Sequence, residues 1–346
     1  MRLFLIALLA FSIAACNETQ SESQEQSATE QVVNVYSHRH YEVDQVIFNR
    51  FESETGIRVN VVKAGADELI TRLENEGAKS PADLLVTVDA GRLVLAKTKN
   101  LLQAVSSPKL EQNIPSYLRD SENYWFGQTV RARMLVYAKD RVKPDDLSTY
   151  EALTSEKWKG RILVRSSDNI YNQSLLSSMV AHGGDEAAEN WARGIVNNLA
   201  RKPKGNDRDQ VIAIASGLGD VAIVNSYYLG KLIQSDEPGE RAAVENIGIF
   251  FPNQNDRGTH INISGAGVTA HAPNRENAVK LLEFLSRDDI QELFAEANSE
   301  YPVKPGVPVS ELLQSWGEFK QDTMNLSLLG IHNSRAVEIF DRVGWK

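Results

Sequence analysis

The chain is poor in the features that would place it in several functional classes. It has one cysteine, Cys16, among 346 residues, so no intrachain disulfide can form. It has no run of basic residues, and its net charge is −9, which argues against nucleic acid as a partner. It shows no internal repeat and no helix-turn-helix pattern. A net negative charge also suits a site that attracts cations, although bulk charge alone is weak support for that.

What is present begins at the N-terminus. Met1-Arg2 precedes an apolar run, Leu3 to Ala15, broken only by Ser12. A short basic region followed by an apolar core of this length reads as an export signal, too short to span a membrane. Ile13-Ala14-Ala15-Cys16 resembles the lipobox of bacterial lipoproteins. Residues 1–16 are therefore expected to be a lipoprotein signal peptide with Cys16 as the lipidated residue; an ordinary cleaved signal with an incidental cysteine is the alternative. Residues 17–31 are nearly all Asn, Glu, Thr, Gln and Ser, too polar to fold, and read as a disordered tether. Acylation there would hold a soluble protein on a membrane face without crossing it.

The remainder has an ordinary globular composition and exceeds what one core usually organises, so two lobes are expected. Val32–Ser37 reads as a strand, and His38-Arg39-His40-Tyr41 as the loop after it. Val43, Ile47 and Phe51 recur every four residues on a helix that Gly56 stops. Strands at 58–64 and 83–89 alternate with helices at 67–76 and 90–102, a pattern that builds a parallel α/β sheet. Phe126–Tyr137 is long for one strand, long enough to run from one lobe into the other. A second α/β series starts at Gly160–Val164, with Ser166–Asn169 capping a helix at 170–182 that Gly183-Gly184 stops. Asp185–Leu199 is another helix, and Asp207 is expected to cap the short helix 208–216. Val221-Ala222-Ile223-Val224 then reads as a central buried strand. Tyr227 and Tyr228 follow it at a helix start, a place that more often carries Ser, Thr, Asp or Asn. Strand ends of this kind are where α/β proteins hold ligands, but two rings there can equally be packing residues.

Four fragments together resemble the bacterial ferric-ion-binding proteins, the transferrin-like solute-binding components of ABC importers. They are Gly265-Ala266-Gly267-Val268-Thr269, Ala272-Pro273-Asn274, Leu281-Leu282-Glu283-Phe284-Leu285 and Glu300-Tyr301-Pro302-Val303. The likeness runs from about Val32 to the C-terminus. It implies a two-lobe, periplasmic-binding-protein-like (type II) α/β fold with a cleft between the lobes. Lobe 1 is expected over 32–130 and 255–302, and lobe 2 over 131–254 and 303–346. The resemblance also implies a metal site of His40, Tyr41, Tyr171, Tyr227 and Tyr228, the last two matching the family's tandem tyrosines. Arg131 and Arg133 are expected around that site, facing phenolates or an anion. Some relatives use a first-lobe carboxylate plus an exogenous anion; Asp67 and Glu68 lie near that region, and an anion-free, five-ligand site is the expectation here. His38 is left out of the set, and His260 is read as structural.

The chemistry can be weighed separately. Ionising one free tyrosine at pH 7 costs roughly 4 kcal/mol, so four cost on the order of 16 kcal/mol before their mutual repulsion. Only a highly charged, hard cation offsets that, and oxygen donors suit such cations. Zinc sites recruit Cys, His and carboxylate, and calcium prefers carboxylates and carbonyls. The set thus points to Fe3+ as transported ion, with Fe2+ admitted; the resemblance implies a protein on the periplasmic or extracytoplasmic face that hands iron to an ABC permease, and a monomer is expected. Each residue has a plainer alternative: a loop histidine at 40, a packing ring at 41, an ordinary helix start at 171. A carrier of another solute, a polyamine or an oxyanion, is the runner-up. A metal-dependent enzyme needs an open coordination position and a general base, and no base is evident beside these tyrosines, so the chain is not expected to be an enzyme.

Overall fold

The computed structural model describes residues 31–346. The expected signal peptide, Cys16 and residues 17–30 of the tether lie outside the described residues. The strands are β1 (Val32–Ser37), β2 (Arg58–Lys63), β3 (Leu84–Thr87), β4 (Phe126–Ala138), β5 (Ile162–Leu163), β6 (Val221–Asn225), β7 (Ile247–Phe250), β8 (Ile261–Val268) and β9 (Tyr301–Pro302). The helices are α1 (Glu42–Thr55), α2 (Ala66–Glu76), α3 (Ala90–Thr98), α4 (Pro108–Asn113), α5 (Ile170–Asn197), α6 (Asp207–Ala215), α7 (Ser226–Ile233), α8 (Pro238–Val244), α9 (Arg275–Leu285), α10 (Asp288–Asn298), α11 (Glu311–Ser315), α12 (Ser327–Ile331) and α13 (Asn333–Val343).

The strands follow the order β2-β1-β3-β8-β4-β6-β5, with β7 and β9 also pairing to β4. β1, β2 and β3 are parallel, as strand–helix alternation requires. β8 closes their sheet antiparallel to β3. β4 is the element on which the molecule turns. Its residues up to Ala132 pair with β8, and from Arg133 onward they pair with β6 and then β7. All thirteen of its residues are buried. Alternation along the strand sends Met134, Val136 and Ala138 into one hydrophobic cluster and Leu135 and Tyr137 into another. β6 does the same: Ala222 and Val224 join the first cluster, Val221 and Ile223 the second. This is the strand covered on both faces that its apolar run predicts.

Several local expectations change on contact with the tertiary structure. α3 ends at Thr98 rather than continuing to 102, and β5 keeps only two residues of the expected strand. The stop expected at Gly183-Gly184 holds: at Gly184 (φ 76°, ψ 176°) the backbone leaves helical geometry, and α5 is two helices meeting at a kink. Asp207 does not cap α6. Asn206 does, its side chain accepting from the amides of Arg208 and Asp209 while Asp209 reciprocates to the Asn206 amide at 2.6 Å. Both residues are of capping type, and the reciprocal partner three positions on selects Asn206. Asp207 is instead fully buried, accepting from Arg133 Nη1 at 2.6 Å and from the Asn225 amide at 2.8 Å.

That burial makes a stability prediction. Asp207→Ala leaves the buried Arg133 guanidinium without its counter-charge and is expected to cost about 3–5 kcal/mol in urea unfolding. Asp67→Ala breaks an ion pair to Arg92 whose carboxylate is 68% exposed and is expected to cost under about 1 kcal/mol.

Candidate metal centre

The end of β6 is tied to the point where β4 changes partners. Ser226 Oγ accepts from the Ala132 amide at 3.3 Å, and Asn225 Oδ1 accepts from Arg133 Nη1 at 3.2 Å. Asn225 stands at the N-cap of α7 without using its side chain to cap it. The junction therefore spends its polar atoms on anchoring, and Tyr227 and Tyr228 are held at a fixed place. Tyr171 arrives from a second helix start, its amide capped by Asn169 Oδ1 at 3.1 Å. Tyr41 comes from the loop after β1.

The four phenols meet. Tyr227 Oη donates to Tyr171 Oη at 3.0 Å. The Tyr227 and Tyr228 rings lie 4.3 Å apart between centroids, tilted by 31°. Tyr41 meets Tyr227 edge to face at 6.4 Å and 70°. His40 is exposed; its ring stands edge to face with His38 at 6.1 Å. With Tyr41, Glu42, Val46, Lys231 and Asn298 it lines an open cavity of about 550 Å³. The imidazole thus shares this cavity with Tyr41.

Cations surround the phenols. The Arg131 and Arg165 guanidinium carbons lie 5.8 and 5.5 Å from the Tyr171 ring centroid, and Lys231 Nζ lies 4.2 Å from that of Tyr41. Arg39 stacks on the Tyr41 ring at 4.6 Å. Arg131 lies against the Tyr171 ring. Arg133 does not reach the phenols: its guanidinium is taken by Asp207, Asn225 and Asn172, the last at 2.7 Å. Burying a charged group is tolerable only with partners of this kind, and the β6–α6 junction supplies them. His260 is buried in the frame, with burial pushing its pKa down to about 3. Asp67 is engaged with Arg92.

Among the residues that sequence reasoning missed, Lys231 was within reach. It lies four positions after Tyr227, so the two share a helix face. Arg39 was next to His40. Arg165 carries no local signal, because only the approach of α5 to β5 places it.

The electrostatics show what this cluster can do. Burial pushes Tyr171 up to about 12, with Tyr228 adding to the rise and Arg131 opposing it. Burial raises Tyr227 well above the usual phenol value, and Tyr171, Tyr41 and Tyr228 raise it further. Tyr41 is raised by burial and then by Glu300, against the pull of Arg39. All three are neutral phenols at pH 7 in the metal-free protein, and each unit of rise adds about 1.4 kcal/mol to the cost of ionisation. The donor set is closed to soft or weakly charged ions and fits a hard trivalent cation, which alone recovers the cost. Among the described residues no group of three or more His, Cys, Asp or Glu could hold a metal, so the phenol oxygens are the dense donor set there.

A two-lobed α/β frame with hard oxygen donors gathered where its central strand changes sheets defines an extracytoplasmic solute-binding protein. Residues 47–321 match the bacterial extracellular solute-binding protein family, and this chain belongs to it. Iron uptake protein A1 of Synechocystis sp. (strain ATCC 27184 / PCC 6803 / Kazusa) is 46% identical, with 100% of this chain and 98% of that one covered. The Trichodesmium protein (IdiA, FutA) in complex with iron and citrate ligands is 50% identical and superposes with a TM-score of 0.89 over 91% of this chain and all of that one. Apo FutA2 from Synechocystis PCC6803 is 48% identical, with a TM-score of 0.88 over 92% of this chain and all of that one. The fold is the two-lobe type II solute-binding fold that the resemblance implies.

Because Tyr41, Tyr171 and Tyr227 are protonated before a metal arrives, coordination by them would expel their protons. Calorimetric ferric titrations in two buffers of different ionisation enthalpy are expected to report at least about three protons released per ion, one for each of these phenols. Affinity correspondingly rises with pH across the neutral range. A release near zero would mean that the rings stay neutral and do not ligate.

Proposed function

We propose that this chain captures ferric iron in the periplasm and delivers it to an ABC permease, with His40, Tyr41, Tyr171, Tyr227 and Tyr228 as the ligands. The observation that carries the reading is the 3.0 Å contact between the Tyr227 and Tyr171 hydroxyls, with the Tyr41 and Tyr228 rings against Tyr227. Oxygens this close repel one another once ionised, and a trivalent cation between them reverses the sign of that term. His40 completes the set as neutral imidazole from the rim. We assign lobe 1 to 32–130 and 255–302 and lobe 2 to 131–254 and 303–346. Support comes from the switch of β4 pairing between Ala132 and Arg133. With these bounds His40 and Tyr41 belong to one lobe and the other three ligands to its partner lobe. Iron then stabilises the closed form, and opening about β4 and β8 releases it.

A buried bond supports closure as the described state. Ser174 of α5 donates to Asp89 at the end of β3 at 2.6 Å, and Asn262 of β8 donates to the same carboxylate oxygen at 2.6 Å. Export and anchoring through Cys16 and a monomeric state belong to the same reading. So does a carrier role rather than catalysis, since the relatives are solute-binding transport proteins.

The cationic surroundings favour one other cargo, an oxyanion held by Arg131, Arg165 and Lys231 with the phenols donating hydrogen bonds. Titration with ferric and ferrous iron followed by visible absorption separates the two. Ferric loading is expected to produce a phenolate-to-iron charge-transfer band, and a colourless saturated protein would sink the assignment. Tyr227→Phe or Tyr228→Phe is expected to weaken iron binding at least about tenfold, since even residues that only support ligands cost that much. Tyr124→Phe, whose ring stacks under Lys97, should leave binding unchanged; equal losses from all three would place the site elsewhere.

A further inference from the structure

Glu300 opens the Glu300-Tyr301-Pro302-Val303 fragment, and nothing in the metal chemistry so far uses it. It is fully buried. One of its oxygens pairs with Arg39 Nη1 at 3.1 Å and accepts from Asn298 Nδ2 at 3.4 Å; the other faces Arg131 Nη1 at 3.5 Å. The two guanidiniums also share Ser264 Oγ, at 2.7 Å from Arg39 and 3.0 Å from Arg131. Arg39 is held besides by Asp44 at 3.1 Å and by Thr129 Oγ1 at 3.2 Å. Arg131 donates to the carbonyls of Val88 and Ile263. Two buried cations and two buried carboxylates thus balance, which is the condition for burying any of them.

The placement of this network ties it to the ligands. Arg39 immediately precedes His40 and Tyr41, and its guanidinium lies under the Tyr41 ring. Arg131 lies beside Tyr171. Glu300 itself is fixed by the following strand, because Tyr301 and Pro302 of β9 pair with Val130 and Thr129 of β4. One carboxylate therefore touches a cation of the loop that carries the first ligands and a cation of the strand that faces the others.

We propose that Glu300 is a positioning residue for the metal centre, holding Arg39 and Arg131 so that the Tyr41 ring from the β1 loop and the Tyr171–Tyr227 pair meet at one ion. This rests on the ligand set assigned above. Two effects of removing it oppose each other. Loss of a nearby negative charge eases phenol ionisation and tightens iron binding. Loss of the shared carboxylate takes a partner from Nη1 of each guanidinium, lets both shift together with the Tyr41 ring, and loosens it. Charge-assisted pairs with Arg are geometrically demanding, and the positional effect dominates.

The test uses the full-length chain with ferric iron. Glu300→Gln keeps the shape and turns an amide toward a guanidinium. It is expected to shift the charge-transfer maximum and to speed iron loss to excess citrate roughly 10–100-fold. Glu300→Asp, which retains the charge, should recover part of both effects. Melting of the metal-free variants reports the fold. A lowered melting temperature with an unmoved band and unchanged iron loss marks a merely structural residue and overturns the proposal. So does tighter iron binding in Glu300→Gln, which would make the charge decisive, and so does faster loss with an unmoved band. If Glu300→Gln does not fold, Ser264→Ala removes the shared oxygen without altering a charge; it must shift the band in the same direction, and no shift overturns the proposal. Tyr227→Phe run in parallel separates the failures. If it keeps the wild-type band, the ligand set is wrong; if it loses the band while Glu300→Gln is unaffected, only the role of Glu300 falls.

Discussion

Ionising a buried phenol is expensive, and the centre of this protein brings four phenols into contact. Burial, mutual repulsion and a neighbouring carboxylate all raise the cost, while Arg39 and Arg131 lower it. Without a metal the balance leaves Tyr41, Tyr171 and Tyr227 neutral, with Tyr227 hydrogen-bonded to Tyr171. In the ligand set we propose, a trivalent ion would be held by the same oxygens as a hard donor cage. The cations around the rings have a double use: they make the phenolates less costly, and they keep the loaded site from carrying an unscreened negative charge in a low-dielectric setting.

Holding such a site requires anchors that do not yield. The structure supplies them as buried ion pairs reinforced by further hydrogen bonds, at Arg133–Asp207 behind the tandem tyrosines and at Arg39–Glu300–Arg131 beneath the β1 loop. Pairs of this kind contribute little net stability compared with an apolar core of the same volume. Their contribution is directional. Each fixes the azimuth of an element end, and each ligand of the proposed set stands on such an end.

The long strand β4 joins both arrangements. Its first half belongs to the sheet of β8 and its second half to that of β6, and the change falls between Ala132 and Arg133. Arg131 and Arg133 flank that point two residues apart, so alternation sends both to the same side of the strand, and the sheet each half belongs to sets its partners. Arg131, before the switch, reaches the Tyr171 ring and Glu300, while Arg133, after it, braces β6 and α6. In the closure we propose, the pairing switch sets the ligands close to the strand about which the lobes open.

Much of the frame is local and was legible in the residues. The apolar period of α1, its stop at Gly56 (φ 70°) and the buried run of β6 are settled by neighbouring side chains and backbone preference. The tyrosines at strand-to-helix junctions were legible for the same reason. Where local signals tie, the sequence is mute: Asn206 and Asp207 are both good caps, and only a buried guanidinium from a distant strand claims Asp207. The same limit applies to Arg131 and Arg133, identical in type and two residues apart, and to Glu300, whose partners lie at 39 and 131. The sequence by itself determined the elements, their order and the donor chemistry, because those depend on contacts a few residues apart. Which charges pair in the interior, and hence which side chains face the phenol cluster, only the tertiary structure decided, because a buried charge takes its role from whichever partners the packed sheet brings within reach.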